Sequence, residues 1–173
     1  MASTYDRVRV ILGRIARRTS WDIDKLADSI RDDKLAEFRF RGDGTEPDHY
    51  MSSASIRSII RLMGELRIVD LQSGKAKATV LGERCNGDDE RFARQIQLSV
   101  KELLSNDGID QARLKGAVAR IQLPNVPDAD TIFDELTADG PVGKMTAPRF
   151  RKLMYLWSSS GGIERVVRAH YSL

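Results

Sequence analysis

Apolar residues recur along much of the chain at the spacing of an amphipathic α-helix. In the first such stretch, residues 4–18, the side chains of Val8, Ile11 and Ile15 fall on one stripe. The same spacing predicts further helices at 21–31, 53–66, 90–105, 110–121, 129–138 and 147–158. Turn-forming Gly, Pro and Asp residues separate them. The pattern therefore predicts a mostly helical chain.

Short β-prone runs interrupt the helical pattern. Residues 67–71 and 76–82 flank a Ser73-Gly74 pair, and two such runs around a tight turn predict a β-hairpin. Residues 38–41 alternate in polarity like a short strand, whereas residues 163–173 fit a strand and a helix equally well. The fold class expected from the whole pattern is mostly α with a small amount of β, an α+β fold.

One segment of the chain occurs twice, at residues 52–70 and 146–164, and the two copies align without a gap. Each copy has a hydroxyl-bearing N-cap, an apolar residue followed by Arg, a helical apolar stripe, and β-branched residues before an acid. A repeat in a short chain predicts two copies of one small domain. We place them at 1–86, with an inserted loop at about 34–50, and at 87–173.

The order helix, helix, helix, hairpin resembles that of the winged-helix superfamily, most specifically over the segment 66–82. The resemblance implies two winged-helix-like domains, in which the third helix enters the major groove of DNA and the hairpin wing contacts the backbone or the minor groove. No second hairpin strand follows residues 163–173, so the second wing is expected to be truncated or completed by something else.

Composition and charge bear on where the protein is located and on what it binds. The chain has 173 residues, 41% hydrophobic and 31% charged, with a net charge of +3 and a single cysteine. No apolar run approaches the ~20 residues of a membrane span, and no signal peptide is visible, so we expect a cytoplasmic protein. Arg accounts for 20 of the 28 basic residues. Arg suits phosphate and base contacts, although a GC-rich genome produces the same excess.

The predicted third helices and the first hairpin carry donor-rich positions opposite their apolar stripes. The resemblance makes these positions candidates for contact with double-stranded DNA; a charged solvent face is the alternative interpretation. The acids Asp43, Glu46 and Asp48 in the inserted loop oppose a phosphate backbone. The candidate nucleic-acid-binding residues are Ser55, Arg57, Ser58, Arg61, Lys75, Lys77, Arg39, Arg41, Arg149, Arg151 and Lys152.

A protein partner is the alternative to DNA. Tandem winged-helix proteins of about this length also serve as scaffolds, and the pattern of this chain is similar in outline to the kleisin-associated subunits of chromosome-condensing complexes. That resemblance implies a homodimer, or a scaffold that binds an extended segment of a partner protein. The candidate partner-binding residues are Tyr155, Trp157, Val167 and Tyr171, and Trp157 fits a core position as well.

Residues with catalytic chemistry do not cluster along the sequence. His49 and His170 are far apart, and the acids near 88–90 and 128–135 sit at predicted helix starts, where they complement the helix dipole. We therefore expect no enzyme, no cofactor and no metal. The leading expectation is a DNA-binding tandem winged-helix regulator, or the DNA-binding subunit of a larger complex. The alternative is the protein-interaction scaffold.

Overall fold

The computed structural model describes residues 3–40, 49–121 and 128–161. The chain forms two compact units, Met1–Phe92 (unit 1) and Ala93–Leu173 (unit 2). About 65% of the structure is helix and 10% is strand, arranged in small antiparallel sheets. The predicted fold class, mostly α with a small amount of β, is therefore confirmed at this level.

Unit 1 alternates helices with very short strands. A single 3₁₀ turn at Ala36–Phe38 precedes a two-stranded pairing of residues 39–40 with 49–50. Its elements are α1 (Thr4–Ile15), β1 (Trp21–Asp22), α2 (Ile23–Asp32), β2 (Arg39–Phe40), β3 (His49–Tyr50), α3 (Ser53–Glu65), β4 (Val69–Gln72), β5 (Lys75–Ala78) and α4 (Val80–Cys85). Helix α5 (Asp89–Asn106) then carries the boundary to unit 2.

Polar side chains fix where the helices of unit 1 begin. Ser3 caps α1 in a capping box with Asp6, and Ser52 caps α3 by accepting the Ser55 N–H. Helix α1 ends at Ile15, three residues before the predicted end at 18. Helix α3 spans Ser53–Glu65, which confirms the helix predicted at 53–66 to within one residue.

The start of the second helix differs from the prediction. Trp21 and Asp22 were expected in a helix at 21–31, but they form β1, which pairs antiparallel with β5. The Asp22 carboxylate accepts the Lys25 N–H at 3.0 Å and so caps α2 from outside the helix. Pairing with β5 satisfies the backbone of β1, and the cap satisfies the first turn of α2.

A three-stranded antiparallel sheet in the order β1-β5-β4 contains the predicted hairpin. The turn uses Ser73 and Gly74, both with positive φ, as a two-residue hairpin turn requires. The predicted extension of the second strand to residue 82 is wrong, because Thr79 caps α4 there. Gly82 in α4 packs against Ile68, whose carbonyl oxygen lies 2.0 Å from where a Cβ would stand.

The core of unit 1 lies between the apolar stripes of its three long helices. Helices α2 and α3 make the most extensive contact within it, and α1 packs against α3. These stripes contribute the fully buried residues Val8, Ile11, Ile15, Leu26, Ala27, Ile30, Ile56, Ile60 and Met63. This packing fixes which side of α3 faces outward.

Unit 2 consists of helices in the part of it that the structure describes. After α5 come α6 (Gln111–Arg120), α7 (Ala129–Thr137) and α8 (Ala147–Ser159), close to the predicted bounds. Asp110 and Asp128 cap α6 and α7. The predicted second wing, residues 163–173, lies outside the described residues. The core of unit 2 contains Ile96, Val100, Leu104, Leu114, Leu136, Phe150, Leu153 and Trp157.

Candidate nucleic-acid interface

The outward face of α3 is built from small and polar side chains. Because Ile56 and Ile60 face the core, the exposed positions of α3 fall at Ala54, Ser55, Ser58, Arg61 and Glu65. The Ser55 hydroxyl lies 3.1 Å from that of Ser52, at the N-terminus of the helix. The structure thus places three of the predicted residues, Ser55, Ser58 and Arg61, on one exposed face.

Arg57, the fourth predicted residue of α3, is held by an acid. Its Nη1 lies 3.1 Å from Oδ1 of Asp24 on α2, and its side chain is only 33% exposed. One turn away, the Ser53 hydroxyl donates to Asp28 of α2 at 2.6 Å. Both acids lie on α2 and bind side chains of α3, so they place negative charge beside the N-terminal half of α3.

The two hairpin lysines also face carboxylates across the sheet. Lys75 lies opposite Asp22 on one side and Gln72 on the other, and Lys77 lies opposite Asp70. All five of these side chains belong to exposed residues on one face of the sheet. Opposite charges in directly paired positions attract, so each lysine presents a reduced positive potential to solvent. The exposed face of the three-stranded sheet therefore carries two lysines from β5 and two aspartates, Asp22 from β1 and Asp70 from β4.

Positive charge that the sequence did not single out lies at the C-terminal end of α1. Arg17 and Arg18 are both exposed there. The Arg18 guanidinium stacks 4.1 Å from the ring centroid of Trp21, whose indole N–H donates to the Arg14 carbonyl. Trp21 belongs to β1, next to the hairpin strand β5. Only the pairing of β1 with β5 brings these residues near the hairpin, so local sequence patterns could not reveal them.

Two arginines of the first helix turn out to be structural. Arg7 is only 7% exposed; its Nε donates to the Glu37 carbonyl and its guanidinium lies 4.9 Å from the Phe40 ring centroid. Burial lowers the pKa of Arg7. Arg14 pairs with Asp33 and Ser29 of the second helix region.

The insert contributes less to the candidate surface than expected. Arg39, on β2, is exposed and has an interaction partner of its own. Arg41 and the three acids of the insert lie outside the described residues. The described part of the insert therefore adds no clear patch of basic charge to α3.

In unit 2 the predicted contact residues of α8 are engaged elsewhere. Arg151 binds Asp130 of α7 with three hydrogen bonds of 2.7–3.0 Å, which raise the pKa of Arg151. Arg149 and Lys152 are half-buried and have partners as well. The patch predicted on this helix is therefore not a free basic surface, because Arg151 is paired with Asp130 and the other two residues have partners of their own.

Of the two aromatic residues near the C-terminal end of α8, one is exposed and the other is buried. Tyr155 is 57% exposed, as a partner-binding residue requires. Trp157 is 1% exposed, so its assignment to an exposed partner surface is wrong and its side chain belongs to the core of unit 2. Its predecessors Leu153 and Met154 are buried with it. Val167 and Tyr171 lie outside the described residues.

Searches of protein-family models, of curated protein sequences and of solved structures find no match to the chain. Among the described residues, no helix is both long enough and apolar enough to cross a membrane. Functional inference therefore depends on the geometry of the chain itself.

Proposed function

We propose that unit 1 is a winged-helix domain that binds duplex DNA, and that the protein is a non-enzymatic regulator or DNA-binding subunit of a larger complex. The observation that carries the proposal is the order and register of its elements. In chain order the elements are α1, β1, α2, the β2–β3 pair, α3, β4 and β5. Three long helices followed by the β4–β5 hairpin is the order that the winged-helix resemblance leads one to expect, whereas β1 and the β2–β3 pair are additions to it. In that arrangement α3 is the recognition helix and β4–β5 is the wing.

The proposed contact surface is centred on Ser55, Ser58 and Arg61. The small hydroxyl side chains of Ser55 and Ser58 let the helix backbone approach base edges closely, and the hydroxyls donate to phosphate or base acceptors. Arg61 is exposed and makes no ion pair with any residue of the described ranges, so its guanidinium is available for a phosphate or a guanine. Lys75 and Lys77 of the wing would touch the neighbouring backbone.

The charge of unit 1 limits the affinity that this surface can reach. Residues 1–92 contain 17 Lys and Arg against 16 Asp and Glu. Affinity for DNA that comes from phosphate contacts scales with the number of neutralised phosphates. With Arg57 and both wing lysines beside carboxylates, we expect few such contacts, and so weak binding that is restricted to low salt.

A protein-interaction scaffold is the second candidate, and the ion pairs favour it. Arg57 and Arg151, central to the two predicted basic patches, are both neutralised by acids from a neighbouring helix. A surface of balanced charge around small side chains suits a protein partner better than a phosphate backbone. The exposed Tyr155 of unit 2 is the residue we expect at such an interface.

Fluorescence anisotropy with a labelled duplex at low salt tests the leading proposal. The full chain should bind, and Arg61→Glu should weaken binding by about tenfold or more, because a lost contact becomes a repulsive one. Arg84→Glu is the charge-matched control, since Arg84 is an exposed arginine on α4 of the same unit. Its effect should be clearly smaller. Equal effects of the two variants would reduce the binding to general electrostatics.

Light scattering after size-exclusion chromatography separates the second candidate. A chain that does not bind duplex at low salt but forms a dimer that Tyr155→Ala dissociates supports the scaffold and rejects DNA binding. A monomer that binds duplex in an Arg61-dependent manner supports DNA binding instead. Circular dichroism of each variant confirms that it is folded.

A further inference from the structure

Two adjacent arginines after the C-terminal end of α1, Arg17 and Arg18 (the arginine pair), have no acidic partner among the described residues. Both are exposed, and neither guanidinium lies within ion-pair distance of a described carboxylate. The arginines of unit 1 that do pair with a described carboxylate are Arg9, Arg14, Arg31, Arg57 and Arg91. Since unit 1 pairs so many of its arginines, two neighbours without an acid form a candidate contact surface.

The acids beside the arginine pair already face other bases. Asp22 follows the pair in the sequence, lies opposite Lys75 in the sheet and caps α2. Asp33 binds Arg14, one turn earlier on α1. Because each of these two acids has a base of its own, the positive charge of the arginine pair is left unbalanced.

Trp21 holds one member of the pair in place. The Arg18 guanidinium stacks 4.1 Å from the ring centroid, and the indole N–H donates to the Arg14 carbonyl at 3.0 Å. A stacked guanidinium keeps the N–H groups at its edge available for a phosphate, and holding it in one position reduces the entropy that binding costs. Thr19 and Ser20 follow as exposed residues, whose hydroxyls can donate to a neighbouring phosphate oxygen.

The arginine pair lies at the β1 edge of the three-stranded sheet. Trp21 of β1 pairs with Ala76 of β5, and the Ile23 N–H donates to the Gly74 carbonyl of the hairpin turn. The sheet order β1-β5-β4 places β1 about 10 Å from β4, the strand that contacts α3, because neighbouring strands lie about 4.7–4.9 Å apart. B-DNA carries one phosphate charge per about 1.7 Å of its length, so a duplex in contact with α3 offers further phosphates at that distance.

We propose that Arg17 and Arg18 bind backbone phosphates of duplex DNA that flank the region contacted by α3. This inference rests on the DNA binding proposed for unit 1 and assigns to it a second contact, across the hairpin from α3. In three-helix DNA-binding domains the connection between the first and second helices can contact the phosphate backbone, and the arginine pair begins that connection. Because phosphate contacts carry no sequence information, the pair adds affinity and orientation but no base selectivity.

The salt dependence of duplex binding tests the proposal. In the full chain, Arg17→Gln with Arg18→Gln should reduce the slope of log affinity against log salt by about one unit for each lost contact, or about two units in all. Affinity at low salt should fall at least about tenfold. Arg84→Gln with Lys115→Gln is the matched control, because it removes the same charge from exposed residues of α4 and α6. The control should change the slope by less than about half a unit.

Tryptophan fluorescence locates the contact, because the chain has only two tryptophans. Trp157 is 1% exposed, whereas Trp21 is half-buried, so acrylamide should quench mainly Trp21. Bound duplex should shield Trp21 and reduce the quenching constant. In Trp21→Phe the remaining emission should respond to neither acrylamide nor duplex. Circular dichroism confirms that each variant is folded.

The outcomes separate this inference from the proposal on which it rests. If the full chain does not bind duplex at low salt, both are overturned. If Arg61→Glu weakens binding but the double variant keeps the original slope, or lowers it no more than its control does, this inference alone is wrong. Duplex that binds without shielding Trp21 from acrylamide also overturns it. A selective loss of slope together with shielding of Trp21 supports it.

Discussion

The Arg57 guanidinium on α3 lies 3.1 Å from the Asp24 carboxylate on α2, in an ion pair that joins two helices of unit 1. Both side chains retain solvent exposure, so the pair contributes only about 0–1 kcal/mol to stability. Its larger effect is on the surface. The ion pair makes Arg57, the central arginine of the proposed recognition helix, less available to DNA. It also places a carboxylate beside the positions expected to contact DNA.

Asp24→Asn should therefore increase DNA binding. Releasing Arg57 and removing one negative charge should strengthen duplex binding about threefold to tenfold and steepen its salt dependence by about one unit. The free energy of unfolding should change by less than about 1 kcal/mol. Anisotropy titrations at several salt concentrations, with urea unfolding alongside, measure both.

Asp134→Asn is the matched control for charge, because Asp134 is an exposed acid on α7 in unit 2. Its effect on DNA binding should be smaller than that of Asp24→Asn. Unchanged or weaker binding by Asp24→Asn would mean that α3 does not face the phosphate backbone.

Gly82 is required by the close approach of α4 to the residue before β4. A Cβ at this position would stand 2.0 Å from the Ile68 carbonyl oxygen, a backbone atom that cannot move aside alone. Gly82→Ala should lower the free energy of unfolding by about 3 kcal/mol, measured by urea denaturation.

Gly13→Ala, within α1, is the control, because a Cβ at this position would lie no closer than 3.7 Å to the Asn86 side-chain oxygen. It should leave stability unchanged or raise it by up to about 1 kcal/mol; equal losses in both variants would contradict the packing argument.

The core of unit 2 can be tested with two leucines of opposite burial. Leu153 on α8 is fully buried, whereas Leu98 on α5 is 55% exposed. Leu153→Ala should cost about 2–5 kcal/mol, because it removes buried methyl groups and leaves a cavity. Leu98→Ala should change stability by less than about 1 kcal/mol. A comparable loss for both would place Leu98 against a surface in solution, such as a second copy of the chain.

Features of this fold that depend on residues close together in the sequence could be predicted. Features that depend on residues far apart in the sequence could not. The apolar spacing of Ile56, Ile59, Ile60 and Met63 fixed the position and inward face of α3, and Ser73-Gly74 located the hairpin. The two-residue strand β1 forms only because β5, more than fifty residues later, pairs with it. Local patterns therefore assigned Trp21 to a helix.

The candidate surface was harder to predict than the fold, because charge partners come from tertiary packing. Helical spacing correctly placed Ser55, Ser58 and Arg61 outward. It could not show that Asp24, 33 residues away in sequence, would neutralise Arg57, or that Asp130 would bind Arg151. The spacing did separate the two aromatic residues of α8, because Phe150, Leu153 and Trp157 fall on the apolar stripe and Tyr155 falls on the opposite side.

The N-cap of α7 should make unit 2 sensitive to acid. Asp128 accepts the Thr131 N–H at 2.8 Å and its hydroxyl at 2.9 Å, and these hydrogen bonds hold the pKa of Asp128 below its ordinary value of 3.8. A carboxyl whose pKa is lowered by folding stabilises the protein at pH values above its pKa in the unfolded chain, and this contribution is lost as the pH falls through its lower pKa in the folded chain.

Asp128→Asn keeps a capping oxygen but takes up no proton there. The stability difference between the original chain and Asp128→Asn should therefore shrink between about pH 5 and pH 2.5, as measured by urea unfolding at each pH. Asp134→Asn, which removes an acid that caps no helix, serves as the control; a difference for Asp128→Asn that stays constant over this range would show that its carboxylate charge does not stabilise α7.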